Sequence, residues 1–184
     1  MLRRLLPYLL VVFMALIDIS VVPVFTASIY VVPIALVFTM CTGALLGRMH
    51  GLLCGLVGGL LVDILACTPL GYMMLTYLVC GYIAGMGGYD SDETRAQDGY
   101  SRIRAFLRRS AVVFIALGIF EAVTMVYQYF HTALFQWIYV RGALLRMLIG
   151  AVAFDVIYYM AMPVLVGRAT ARVLIGARRE VKNL

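Results

Sequence analysis

Five ionisable side chains interrupt otherwise apolar stretches and are the residues best placed to do chemistry: Asp18, Asp63, Glu121, Arg146 and Asp155. A charged side chain at the centre of a bilayer costs roughly 2.5–3.5 kcal/mol on insertion scales, so each needs a partner or water. Such residues can line a polar pathway or a ligand site. They can equally form a structural ion pair that fixes helix register, and both interpretations stay open at this stage.

The positions of these five residues along their apolar stretches indicate how they could pair. Asp18, Asp63 and Arg146 each fall in the outer third of the stretch that contains them. We therefore expect Arg146 to pair with Asp63, with Asp18 as the competing partner. Glu121 and Asp155 fall near mid-membrane, where protonation or a hydrogen bond between them would keep them neutral.

Asp63 closes a ladder of glycines on a long apolar segment. Gly51, Gly55 and Gly59 precede it at four-residue intervals, and Pro69-Leu70-Gly71 forms the turn that follows. Four residues make 1.1 helical turns, so these positions lie on one stripe of a helix. A glycine stripe allows another helix to approach at backbone distance, which predicts helix packing, with a partner-binding surface as the alternative.

The elements that carry these residues are predicted transmembrane helices. The chain is 64% hydrophobic and 13% charged, with a mean hydropathy of +1.00, whereas soluble domains carry about 25% charged residues. Runs that approach the ~20 residues of a membrane span occupy most of the chain. We predict an all-α integral membrane bundle that forms a single domain over 1–184, with six spans at about 5–25, 29–47, 51–67, 70–88, 109–130 and 143–166.

Most of the basic residues lie at the ends of these spans or between them and so orient them. Of the 15 basic residues, 13 fall before span one, between spans two and three or four and five, or after span six. The positive-inside rule then places both termini, a loop over 89–108 and a basic tail over 167–184 in the cytoplasm. Residues 100–109 have the pattern of a basic interfacial helix. The net charge of +6 is thus explained by topology, and no nucleic-acid partner is expected.

No catalytic set, cofactor site or metal site is predicted. The two histidines, His50 and His131, lie on opposite sides of the membrane in this topology, and the sequence has no HExxH, nucleophile elbow or phosphate loop. The four cysteines recur every thirteen residues but lack ligand spacings. Buried cysteine commonly acts as a small hydrophobe.

The ladder Gly51-x3-Gly55-x3-Gly59-x3-Asp63 followed by Pro69-Leu-Gly71 resembles the rod shape-determining protein MreD family over about residues 51–85. The resemblance implies a non-enzymatic scaffold of the cell-elongation machinery in the bacterial inner membrane. It also implies direct binding to MreC and work with MreB and the peptidoglycan synthases. The implied fold is similar to that of the substrate-binding subunits of energy-coupling-factor (ECF) transporters, and Asp63 is the position that the resemblance favours as functional.

A second hypothesis is a small-molecule-binding membrane subunit of an ECF-type transporter. An outward-facing cavity would then bind a vitamin or a zwitterion. In this hypothesis Asp18, Asp63 and Arg146 are ligand contacts in the outer leaflet.

Overall fold

Helices make up nearly all of the chain that a computed structural model describes, which is residues 2–20, 33–89, 99–132 and 137–165. Within these ranges there are six: α1 (Leu2–Ser20), α2 (Ile34–Leu46), α3 (Arg48–Leu65), α4 (Tyr72–Tyr89), α5 (Gly99–Thr132) and α6 (Trp137–Leu165). The predicted all-α class with six helices is therefore confirmed. We call the end where α1, α3 and α5 finish the outer end, and the opposite end the inner end.

The largest differences from the predicted spans are at the starts of α5 and α6. α5 begins at Gly99, so the helix predicted over 100–109 within the 89–108 segment is continuous with the span that follows it. α6 begins at Trp137, six residues before the predicted span. Hydropathy locates only the apolar part of a helix. Because arginine is a good helix former, the helix can continue beyond that part into a segment that contains arginines. Residues 90–98 of the predicted loop and the predicted tail over 167–184 lie outside the described residues.

Among the described residues, two helices are long and apolar enough to cross a membrane by themselves, Arg48–Leu65 and Phe106–Phe130. Shorter apolar helices cover Leu6–Ser20, Ile34–Leu46 and Tyr72–Gly87. The 13 residues of α2 make a helix about 20 Å long, against a hydrocarbon core of about 30 Å. Length and hydropathy therefore identify only some of the spans directly.

The centre of the bundle is α2. Its residues from Ala35 to Ala44 are all buried, and it contacts α1, α3, α4 and α6. A helix that is apolar all round is typical of a buried position. α1, α3, α4 and α6 therefore pack around α2, whose first turn lies at the outer end.

α3 packs against α4 at backbone distance. A Cβ placed on Gly51 would overlap the carbonyl oxygen of Gly81, and one on Gly55 would overlap the carbonyl oxygen of Tyr77. One on Gly59 would overlap the backbone of Met74. The two backbones are in direct contact, and a side chain at any of these glycines would force them apart.

The turn between α3 and α4 is short and tightly wound. The Thr68 backbone N–H donates to the Asp63 carbonyl oxygen at 3.2 Å, a helix-ending bond of the Schellman type. Cys67 holds the left-handed position usually given to glycine, with φ of 51°, and Gly71 has φ of 99°. This geometry leaves the Asp63 side chain at the last turn of α3, directly before α4 begins.

We expect Gly55→Ala to destabilise the protein by about 1–3 kcal/mol, because a buried methyl group would meet a backbone carbonyl that cannot rotate away. Thermal unfolding in detergent measures the effect. The matched control is Gly118→Ala, where the nearest atom is the mobile Cε of Met147 at 3.3 Å. Equal unfolding temperatures for the two variants would show that the α3–α4 contact is looser than described.

Candidate functional site

The Asp63 carboxylate is buried at the outer end and caps α4. Its Oδ1 accepts hydrogen bonds from the Thr68 hydroxyl at 2.7 Å and the Met73 N–H at 3.0 Å. Its Oδ2 accepts from the N–H groups of Gly71 at 2.9 Å and Met74 at 3.1 Å. The first N–H groups of a helix lack partners within the helix, and the helix dipole favours an anion there. These four hydrogen bonds thus stabilise the Asp63 carboxylate in a position where the residue is only 1% exposed.

Asp18 does the same for α2. Its two carboxylate oxygens accept from the N–H groups of Ile34 at 2.9 Å and Ala35 at 2.6 Å. Pro33 precedes α2 and provides no side-chain cap, so the cap comes from the end of α1. Asp18 therefore joins α1 to the central helix.

Arg146 pairs with Glu121, not with Asp63 or Asp18 as predicted. Its Nε lies 2.8 Å from Glu121 Oε1 and its Nη2 lies 2.6 Å from Oε2, so the guanidinium meets the carboxylate with two parallel bonds. The side chains are 14% and 7% exposed. The predicted pair is wrong because helix N-termini, which sequence depth ignores, already bind both aspartates.

Asp155 lies near Arg109 at the inner end, so the predicted Glu121–Asp155 contact is also wrong. Arg109 Nη2 is 3.5 Å from Asp155 Oδ1, and the Ser110 hydroxyl donates to Oδ2 at 3.5 Å. The Arg109 guanidinium is fully buried and lies 3.9 Å from the centre of the Tyr158 ring, a cation–π contact. In the predicted topology Arg109 falls among the cytoplasmic arginines, although the apolar run of α5 begins directly after it.

A pocket of about 220 Å³ lies at the outer end, between the helices that the two aspartates cap. The rings of Tyr77 and Phe120 form its aromatic wall, with centroids 6.2 Å apart and planes at 61°. Asp18 is the charged group on its surface. Among the described residues, those that line it are Asp18, Ile19, Pro33, Val62, Met73, Tyr77 and Phe120.

Of the predicted site residues, only Asp18 lines this pocket. Asp63 acts on it indirectly, since its carboxylate holds the Met73 backbone and it follows Val62 in α3. Arg146 does not line the pocket. Its guanidinium forms an ion pair with Glu121, the residue after Phe120. Sequence reasoning missed Tyr77 and Phe120 because single aromatic residues in apolar helices carry no distinguishing pattern.

Within the described ranges, no group of three or more His, Cys, Asp or Glu side chains could hold a metal ion. Cys41, Cys54 and Cys80 are buried free thiols, and Cys67 is exposed. His50 Nδ1 is 2.9 Å from the Tyr8 hydroxyl at the inner end. The polar chemistry of the outer end thus depends on carboxylates, backbone N–H groups and aromatic rings.

The sequence profile of the ECF-type riboflavin transporter S components matches residues 8–171. The chain belongs to this family. The match extends from α1 through the end of α6 and so includes the seven residues named above as lining the pocket. No curated protein and no solved structure matches the chain.

The family match overturns the predicted relationship to MreD, and with it the cell-elongation scaffold and the partnership with MreC, MreB and the peptidoglycan synthases. The glycine ladder and Asp63 suggested that relationship over about 35 residues. The structure shows these residues packing two helices together and capping one of them, which are needs that unrelated membrane bundles share. The family match instead indicates the ECF energising module as partner.

Other predictions agree with this S component. S components are substrate-binding subunits without catalytic activity, so the predicted non-enzymatic role is confirmed. They are also multi-pass proteins of the cytoplasmic membrane, which confirms the predicted location and fold class.

We expect Asp63→Asn to lower the free energy of unfolding by about 1–3 kcal/mol, because the amide nitrogen would face backbone N–H donors that now meet a carboxylate oxygen. Thermal unfolding in detergent measures the loss. Thr68→Ala removes one of the four donors and should cost less, about 1 kcal/mol. An unchanged unfolding temperature for Asp63→Asn would contradict the cap.

Arg146→Ala should destabilise the protein by about 3–5 kcal/mol, because it leaves the Glu121 carboxylate buried without its partner. A double-mutant cycle with Glu121→Gln isolates the pair, and the double variant should be more stable than Arg146→Ala alone. Arg141→Ala, an exposed arginine on the same helix, should change stability by less than about 0.5 kcal/mol. Additive single effects would rule out the pair.

Proposed function

We propose that this chain captures riboflavin in the outer-end pocket and delivers it as the substrate-binding subunit of an ECF-type transporter. The observation that carries the proposal is the family match over residues 8–171. The position of the pocket supports the proposal. Its lining residues come from α1, α3, α4 and α5 and from the start of α2, and all of them lie within the matched residues.

The chemistry of the pocket suits a flavin. The isoalloxazine ring is flat, aromatic and largely apolar, and it favours edge or face contact with rings such as those of Tyr77 and Phe120. The thioether of Met73 adds an adaptable, polarisable surface. Flat aromatic walls select for a planar ligand over a branched aliphatic one.

Asp18 supplies the polar recognition. Each of its oxygens accepts one backbone N–H from α2, and a carboxylate oxygen has a second lone pair available. The ring N–H of a flavin and the hydroxyls of its ribityl chain are donors that match this acceptor. Because Asp18 also caps α2, ligand binding would stabilise the junction between α1 and the central helix.

The pocket volume indicates which part of the ligand it holds. Sites for drug-sized ligands usually enclose about 300–1,000 Å³, and this pocket encloses about 220 Å³. The described walls therefore fit one end of riboflavin, and we assign them to the ring because the aromatic residues lie there.

Transport requires an energy source that this chain does not supply. The sequence contains no phosphate-binding loop. The proposal therefore includes a partner complex of a transmembrane coupling subunit and paired ATPases, which would hydrolyse ATP on behalf of this subunit.

Riboflavin binding tests the proposal directly, since the intrinsic fluorescence of the flavin is quenched when its ring stacks on aromatic residues. We expect the purified protein to quench riboflavin stoichiometrically. Val62→Phe, which fills the pocket, should weaken binding at least tenfold. The matched control is Ile64→Phe, two residues away on the exposed face of α3, which should bind as the wild type does.

Folding of each variant is checked by its unfolding temperature without ligand. If the wild-type protein folds but leaves riboflavin fluorescence unchanged at tens of micromolar, the proposed substrate is wrong. If Val62→Phe is folded and binds normally, the substrate stands but this pocket is not its site.

A further inference from the structure

A second surface feature lies on α6, away from the pocket. Leu148, Ile149, Val152 and Ala153 line an open groove of about 370 Å³ that exposes only apolar atoms. Three of these side chains are largely exposed, with Val152 at 65%. The groove faces outward from the bundle and none of its lining belongs to the riboflavin site.

An exposed arginine lies above this groove. Arg141 is seven residues before Leu148 on α6, so the two share a face of the helix and are about 10 Å apart along its axis. The Cα–Cβ bonds of a helix tilt toward its N-terminus, which here is the outer end, so the guanidinium extends toward the lipid headgroups. Arg146, the other arginine of α6 in this half, is held by Glu121.

We propose that this surface binds one anionic phospholipid, with its phosphate on Arg141 and an acyl chain in the groove below. The separation of charge and groove follows the order of a phospholipid, in which the phosphate lies at the membrane surface and the chains begin a few ångströms deeper. The charge complementarity between Arg141 and an anionic headgroup selects the lipid class.

The shape of the groove favours a chain over a partner helix. Membrane helices pack closely where small residues let their backbones approach. This groove is lined mainly by leucine, isoleucine and valine, whose branched side chains keep another backbone at a distance. A flexible acyl chain can follow such a surface and fill the spaces between the side chains.

The proposal is tested by native mass spectrometry of the full chain, delipidated in mild detergent and titrated with phosphatidylglycerol or with phosphatidylethanolamine of the same chains. We expect one phosphatidylglycerol to bind preferentially. Arg141→Gln should weaken its binding about fivefold, the effect of one basic residue near an anionic lipid. Val152→Phe, which fills the groove, should weaken the binding of both lipids.

Matched controls separate this site from general lipid contact. Val126→Phe changes a similarly exposed valine on α5, and Arg141→Lys keeps the positive charge at the proposed headgroup contact. Both should bind phosphatidylglycerol as the wild type does. The substituted positions are all exposed, so the variants should fold.

Three results would overturn the proposal. Equal binding of the two lipids by the wild type would remove the headgroup preference. Wild-type affinity in Arg141→Gln would remove the phosphate contact, and wild-type affinity in Val152→Phe would remove the acyl-chain site. None of these measurements uses riboflavin, so they are independent of the proposed substrate.

Discussion

Lipid offers no hydrogen bonds, and this constraint accounts for the polar contacts throughout the bundle. Each charged group within a helix must find its partner in the protein, and so must each backbone group at a helix end. Asp63 and Asp18 satisfy both requirements at once, since their carboxylates accept hydrogen bonds from the N–H groups at the starts of α4 and α2. The two helix starts fixed in this way form part of the pocket wall. The pocket proposed for riboflavin is thus built on groups that the membrane would otherwise leave unsatisfied.

The pairing of α5 with α6 follows a different rule. α5 contributes a cation near the inner end and an anion further out, Arg109 and Glu121, while α6 contributes the opposite charges, Asp155 and Arg146. If α6 ran in the other direction, like charges would face each other at both levels. Buried ion pairs add little net stability, but they can specify one arrangement over others. The order of charges along α5 and α6 therefore specifies their antiparallel orientation.

Much of the architecture could be predicted from the sequence. The number of helices and the all-α class follow from hydropathy, because burial in lipid and helical hydrogen bonding impose the same long apolar runs. The glycine spacing on α3 indicated a close-packed face, and the structure packs that face against α4.

The pairing of charges and the pocket could not be predicted in the same way. Depth along a helix places Arg146 near Asp63, but only the three-dimensional packing shows that helix N-termini already occupy both aspartates and that Glu121 is free to pair. Tyr77 and Phe120 come from different helices, and nothing in the order of residues joins them. The glycine and aspartate motif of α3 also suggested the wrong family. It specifies the close packing and capping of a helical hairpin, and it carries no information about the ligand.

The left-handed turn that ends α3 has a practical consequence. It presents Cys67 to the surface at the outer end, whereas the thiols of Cys41 and Cys80 donate to backbone carbonyls inside the bundle and Cys54 is also buried. The native chain therefore carries a single accessible sulfhydryl a few residues from the mouth of the pocket. A fluorophore or spin label attached there would report movements of the α3–α4 hairpin in an otherwise unaltered protein.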